Sequence, residues 1–102
     1  MSHKYIETKK VLKHKDMILK SYPKQIQNKL LCIIFEIIDD PRNKNALGSP
    51  EQLKHSDKEL WSRELTKKDR IVYGIEKGAG YGMPEETEII VFYQYLGHYE
   101  NK

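Results

Sequence analysis

Residues 60–76 read LWSRELTKKDRIVYGIE, and their alternation decides the fold. In a pleated strand successive side chains face opposite sides. Along 70–76, Ile71, Tyr73 and Ile75 therefore point one way, and Arg70, Val72, Gly74 and Glu76 point the other. The apolar set is the core-facing one, which leaves Arg70 on the opposite face. Along 60–65, Trp61, Arg63 and Leu65 share a face, so Arg63 is either a side chain snorkelling from an apolar surface or a site residue. TKKD at 66–69 separates the two runs at hairpin length. A third run, EIIVFYQY at 88–95, is equally rich in β-branched and aromatic residues. It is joined to the second by KGAGYGMPEET at 77–87, whose glycines and proline predict a longer, mobile hairpin loop. The three runs make an antiparallel meander.

Upstream the periodicity changes from two to that of a helix. KYIET at 4–8 is a short first strand, and Val11, Leu12, Ile18, Leu19 and Tyr22 then recur at helical spacing with lysines between them, predicting an amphipathic helix over 9–21. Pro23 ends it and suits the first position of the next helix. That second helix carries Ile26, Leu30, Ile33, Ile34, Ile37 and Ile38 on one broad face and stops at DDP, 39–41. Two helices joined by so short a turn are antiparallel neighbours. PRNKNALGS at 41–49 is a loop. The expected order is strand, helix, helix, then three strands: an α+β domain with both helices on one face of an antiparallel sheet. With no repeat, linker or low-complexity stretch, the 102 residues read as a single domain, 1–102.

Composition narrows the class. Charged residues are 32% of the chain, hydrophobic residues 38%, and no apolar run approaches the roughly 20 residues that span a bilayer. No apolar segment follows the basic N-terminus as a signal peptide requires, so a soluble, cytoplasmic protein is expected. The single cysteine, Cys32, lies inside LLCIIFEII at 30–38 and is expected to pack rather than react. The net charge is +3, but residues 1–30 hold eight lysines against Glu7 and Asp16, a local +6, while the remainder sums to −3. Such lysines are either the wet face of a helix or a surface for phosphates or an acidic partner.

No cofactor or metal is expected. His3, His14, His55 and His98 lack the paired spacing of a zinc site, and GAGYG at 78–82 precedes a strand rather than a helix, so it reads as a turn and not a phosphate cradle. What remains are polar residues near strand ends: Glu51, Lys54, Arg63, Arg70, His98 and Tyr99. A carboxylate, cations, an imidazole and a phenol suit metal-free phosphodiester chemistry. A base takes a proton from the attacking hydroxyl, cations stabilise the phosphorane oxygens, and an acid protonates the leaving oxygen. Each residue also has a plainer reading: Glu51 starts a turn, Lys54 and Arg63 are solvated, Arg70 pairs with Asp57, Asp69 or Glu76 at the surface, and His98 is a tail residue.

The ordered set PEQLKH (50–55), LWSRELTKKDRIVYGI (60–75) and HY (98–99) resembles the YoeB/Txe family of toxin nucleases, within the RelE-like superfamily. The resemblance implies a RelE-like microbial RNase fold and an mRNA interferase of a type II toxin-antitoxin system, cutting the codon in the ribosomal A site without metal. Glu51 then aligns with the general base that activates the ribose 2′-hydroxyl, and His98 with the general acid. Arg70 aligns with the arginine that stabilises the pentacovalent phosphate, and Tyr99 with the tyrosine that positions the RNA. Lys54 and Arg63 match basic positions that hold phosphates. The implied products are a 2′,3′-cyclic phosphate and a 5′-hydroxyl. The implied partners are a cognate YefM/Axe-like antitoxin, the ribosome and mRNA, with room for a homodimer. The lysines of the first third gain a use as sequence-independent phosphate contacts.

The chain departs from the family pattern at Glu64, where a second arginine is common, at Glu59 and Leu60, which replace a glycine before the tryptophan, in the longer loop over 77–87, and in Glu100–Lys102 beyond the tyrosine. The competing reading is a catalytically silent RelE/ParE-like binding domain acting on another target such as a topoisomerase. An ordinary histidine, with a pKa of about 6.5, is a serviceable acid at neutral pH, whereas an ordinary glutamate, at about 4.3, is a weak base. Positioning of the RNA therefore has to supply much of the rate.

Overall fold

The computed structural model describes residues 3–54 and 58–98. Strand β1 (Lys4–Glu7) leads into helix α1 (Lys9–Ser21), which turns at Tyr22 and Pro23 into α2 (Lys24–Asp39). A loop then carries the chain to a two-residue strand, β2 (Glu51–Gln52), followed by β3 (Glu59–Glu64), β4 (Arg70–Lys77) and β5 (Glu88–Gln94).

Local chemistry sets the helix limits. Thr8 accepts the Val11 N–H through its hydroxyl oxygen, a helix N-cap of the kind that contributes about 1 kcal/mol. The same hydroxyl donates to the Phe92 carbonyl at 3.1 Å, so the cap also fastens the start of α1 to β5. Pro23 cannot continue a helix. It serves as the N-cap of α2, one position earlier than the sequence placed it, and its carbonyl receives the N–H groups of Ile26 and Gln27.

The sheet is larger than the meander. It has five strands in the order β1-β5-β4-β3-β2, with β3, β4 and β5 antiparallel as expected. β1 joins β5 in parallel, with Lys4 opposite Ile89 and Glu7 opposite Phe92, so the sheet is mixed rather than wholly antiparallel. The helical hairpin between β1 and the later strands supplies the crossover that a parallel pairing needs. β2 lies between the expected loop and the expected meander, where two residues are too few to show a periodicity; Glu51 pairs with Ser62 and Gln52 with Trp61.

Val11 and Ile18 of α1 and Leu30, Ile33, Ile34 and Ile37 of α2 cluster with Trp61, Leu65, Ile71, Tyr73, Ile75, Ile90 and Phe92, so both helices lie on one sheet face. On the other face Leu60 and Tyr93 close over Gly74, where an added Cβ would stand 3.0 Å from Leu60 Cδ2 and 3.1 Å from Tyr93 Cε2. Cys32 is exposed, contrary to the packing role expected of it. LLCIIFEII is apolar at every position but Glu36, and with Leu30, Ile33, Ile34 and Ile37 turned inward the helical period leaves Cys32 and Phe35 outside. The loop expected to be mobile is internally bonded: a 3-10 turn at Gly78–Tyr81 is closed by Gly78 N–H to the Thr87 carbonyl and Met83 N–H to the Gly78 carbonyl.

The sheet margin away from Arg70 is clamped by Arg42. Its guanidinium binds the Glu59 carboxylate at 2.8 and 2.9 Å and the Glu88 carboxylate at 2.9 and 2.7 Å, joining the starts of β3 and β5. Among the described residues no helix is long and apolar enough to cross a membrane.

Candidate active site

Registered neighbours in an antiparallel sheet share a face. Glu51 lies opposite Ser62 and Ser62 opposite Val72, so Glu51, Ser62, Val72 and Arg70 all belong to the face away from the helices. Arg70 stands where its alternation placed it. Its Nε and one terminal nitrogen both donate to the Ser62 hydroxyl, at 3.2 and 2.9 Å, and among the described residues it makes no salt bridge to a carboxylate. The surface ion pair offered as its plainer reading is therefore not formed with Asp69 or Glu76. Asp69 is buried, and Glu76 accepts the hydroxyls of Tyr81 and Tyr93. A hydroxyl partner fixes the guanidinium without neutralising it, leaving a cation on the sheet face that the exposed Glu51 shares.

Glu51 reaches that position through an unusual turn. Gly48 and Ser49 both have positive φ, 87° and 49°, immediately before Pro50. A Cβ at Gly48 would lie 2.8 Å from the Glu64 carbonyl oxygen, and the Gly48 carbonyl accepts the Glu64 N–H at 2.7 Å. The loop is thus pressed against the end of β3 before β2 begins. Lys54 follows β2 and is exposed.

His98 is exposed, but the backbone leading to it is held. After β5 ends, the N–H groups of Tyr95 and Leu96 both donate to His14 Nδ1, at 3.1 and 3.2 Å, and that of Gly97 donates to Asp69 Oδ1 at 2.9 Å. The Gly97 carbonyl accepts from the Arg70 N–H and from Gln94 Nε2, both at 2.9 Å. Because it accepts two N–H groups, Nδ1 of His14 is unprotonated. Burial first and Lys10 second lower its pKa, against the opposing charge of Asp69. His14, Ser62, Asp69 and Gln94 were not singled out in the sequence as site residues. Only Ser62 left a signal, since alternation between Trp61 and Arg63 puts it on the face of Arg70.

Arg63 is not brought to this face. It is fully buried on the helix side, with one terminal nitrogen 2.7 Å from Glu36 Oε1 and 3.4 Å from the Leu47 carbonyl. Its Nε and other terminal nitrogen have no hydrogen-bond partner among the described residues. With no exposed surface the guanidinium reaches neither solvent nor a phosphate from this position, so the snorkelling, solvated and phosphate-holding readings of Arg63 all give way to that of a core cation. Burial pushes the neighbouring Tyr73 hydroxyl up to about 12 while Arg63 opposes the shift. Tyr99, together with His55 and Asp57, lies outside the described residues. Among the described residues no group of three or more His, Cys, Asp or Glu side chains is placed to hold a metal ion.

Glu51 and Arg70 are thus carried to one face of a small mixed sheet backed by a helical hairpin, and the backbone just before His98 is tied to that of Arg70. Solved structures share this fold. A YoeB/ParE toxin from Agrobacterium tumefaciens superposes with a TM-score of 0.72 at 23% identity, covering 94% of this chain and 99% of that one. The YoeB dimer from Staphylococcus aureus gives 0.68 at 17% identity, covering 97% and 100%, and the heterotetrameric YoeB-YefM complex from the same organism gives 0.67 with the same identity and coverage. No curated protein sequence matches significantly. A family model described as a YoeB-like toxin of bacterial type II toxin-antitoxin systems matches residues 10–95. The fold and that match define a type II toxin. The chain belongs to the YoeB toxin family.

Proposed function

We propose that this toxin is a ribosome-dependent endoribonuclease that cleaves mRNA in the A site and so inhibits translation. The observation that carries the reading is the shared sheet face of Glu51 and Arg70, joined through Ser62, with the Gly97 backbone before His98 tied to the backbone of Arg70. Glu51 takes the proton of a ribose 2′-hydroxyl, and the freed oxygen attacks the adjacent phosphorus. Arg70 meets the charge that develops on the phosphorane oxygens. His98 gives a proton to the departing 5′-oxygen, leaving a 2′,3′-cyclic phosphate and a 5′-hydroxyl. Lys54 holds a neighbouring phosphate, and Tyr99 positions the RNA beside His98. No step calls for a cofactor. Exposed Lys9, Lys10 and Lys13 on α1 add sequence-independent contacts to ribosomal RNA.

The partner that silences it is a YefM-like antitoxin in the cytoplasm, the pairing named for the Staphylococcus aureus relative, and self-association follows the dimer named for that relative. An acidic antitoxin segment lying over the Glu51–Arg70 face both neutralises Arg70 and blocks RNA.

Inducing the gene and mapping mRNA ends tests the nuclease reading. New 5′-hydroxyl ends in A-site register are expected, and they disappear in Glu51→Ala and His98→Ala variants that retain the fold. Normal translation without new ends would leave the silent binding domain as the better account.

A further inference from the structure

Asp69 sits in the turn between β3 and β4 and is only 4% exposed. A carboxylate so buried must be met by donors. Its Oδ2 accepts the Tyr22 hydroxyl at 2.9 Å and the Thr66 hydroxyl at 2.8 Å, and its Oδ1 accepts the Gly97 N–H at 2.9 Å. Its own N–H returns to Thr66, and its carbonyl receives the N–H groups of Leu65 and Thr66. The turn is therefore braced before it grips anything else. The next residue, Arg70, donates its backbone N–H to the Gly97 carbonyl. Two consecutive residues, 69 and 70, thus hold the N–H and the C=O of one glycine.

Gly97 is also the point where the chain changes direction. Its φ is +96°, while an added Cβ would have only Gln94 Nε2, at 3.9 Å, for company. Backbone conformation rather than crowding calls for glycine there. With both peptide groups of Gly97 fixed and the next Cα about 3.8 Å away across a trans peptide, the root of the His98 side chain has little freedom.

We propose that Asp69 is a positioning residue for His98, setting the place of the imidazole relative to Arg70 by anchoring the Gly97 peptide. The inference rests on His98 acting as the general acid. Asp69 touches no RNA, so its effect falls on the chemical step and not on docking. Burial opposes ionisation of Asp69, yet the donors Gly97, Thr66 and Tyr22 with nearby Lys68 outweigh it, and the carboxyl is held below its usual range. The anchor is therefore charged at every pH at which translation runs.

The test uses the full chain on programmed ribosomes, with single-turnover cleavage followed beside ribosome affinity. In Asp69→Ala, kcat is expected to fall on the order of 100-fold with KM unchanged, the cost of misplacing a reacting group by about an ångström. Asp69→Asn keeps an oxygen for the Gly97 N–H, and its amide can donate to the Tyr22 and Thr66 oxygens, so it should recover activity to within about tenfold of the parent. A purely structural Asp69 would alter stability while folded molecules kept their kcat, and that result overturns the proposal. Amide exchange in the unmodified protein is a second measurement that needs no variant. The Gly97 N–H is expected to be protected to the level of β4, and free exchange there also overturns the proposal. If instead His98→Ala cleaves normally, the acid assignment fails by itself, and Gly97 exchange still decides whether Asp69 holds the segment.

Discussion

The Arg63 guanidinium and the Glu36 carboxylate meet at 2.7 Å between β3 and α2, the arginine fully buried and the glutamate 38% exposed. Seven residues later Arg70 faces the other way and is held by a serine hydroxyl. One strand pair thus presents one cation to the core and one to the site.

Removing Glu36 strands a buried charge. Glu36→Ala is expected to lower unfolding free energy by roughly 3 kcal/mol, read from urea denaturation, because a buried ion pair broken on one side leaves its partner uncompensated. Arg63→Met keeps volume and removes the charge, so it should cost less and leave RNA cleavage per folded molecule unchanged. A well-folded Arg63→Met protein that no longer cleaves RNA would return Arg63 to the site.

Arg42 links acid stability to the margin of the sheet. Hydrogen bonds from Arg42 hold the Glu59 and Glu88 carboxyls below their usual range, with burial opposing in both. A carboxyl with a lowered folded pKa stabilises the fold above the unfolded value, and that gain is lost as pH falls through the folded value. Stability should therefore decline below about pH 4.3. Arg42→Ala should lose on the order of 1 kcal/mol at neutral pH and show a shallower acid decline, since the two carboxylates no longer have a shared cation.

His14 should give a second pH dependence, at higher pH. Its pKa is lowered by burial and by Lys10, so the folded protein binds this proton less readily than the unfolded chain. Stability is complete above the unfolded value of about 6.5 and falls as pH drops through the window down to the folded value, levelling off below it. Protonation also removes the acceptor of the Tyr95 and Leu96 N–H groups. Their exchange protection should drop together as pH falls through the folded value, which lies below the unfolded value of about 6.5, and a His14→Leu variant, already missing the acceptor, should show no such step.

Gly48→Ala tests how Glu51 is delivered. At φ +87°, with the Glu64 carbonyl oxygen 2.8 Å from the new Cβ, the loop must move off β3. A loss of more than about 1 kcal/mol is expected, with a fall in cleavage because β2 shifts. Ser49→Gly relieves a positive φ of 49° and should be neutral or slightly stabilising in a thermal melt.

The pleat and the helical turn act over neighbouring residues, and what they control was legible in the sequence. Alternation placed Ile71, Tyr73 and Ile75 inward and Arg70 outward, and the 3.6-residue period laid out α1 and most of the inner face of α2. Tertiary packing decided the rest. Alternation put Arg63 beside Trp61 but could not say that Glu36, 27 residues earlier, would cover it. Nothing local marks Asp69 as a buried anchor, because its partners Tyr22 and Gly97 lie 47 residues before it and 28 after it. The parallel seat of β1 beside β5 and the two-residue pairing of Glu51–Gln52 on β3 are likewise long-range choices, made between segments separated in sequence. The sequence determined which residues could share a face, and only the folded chain determined which of them meet.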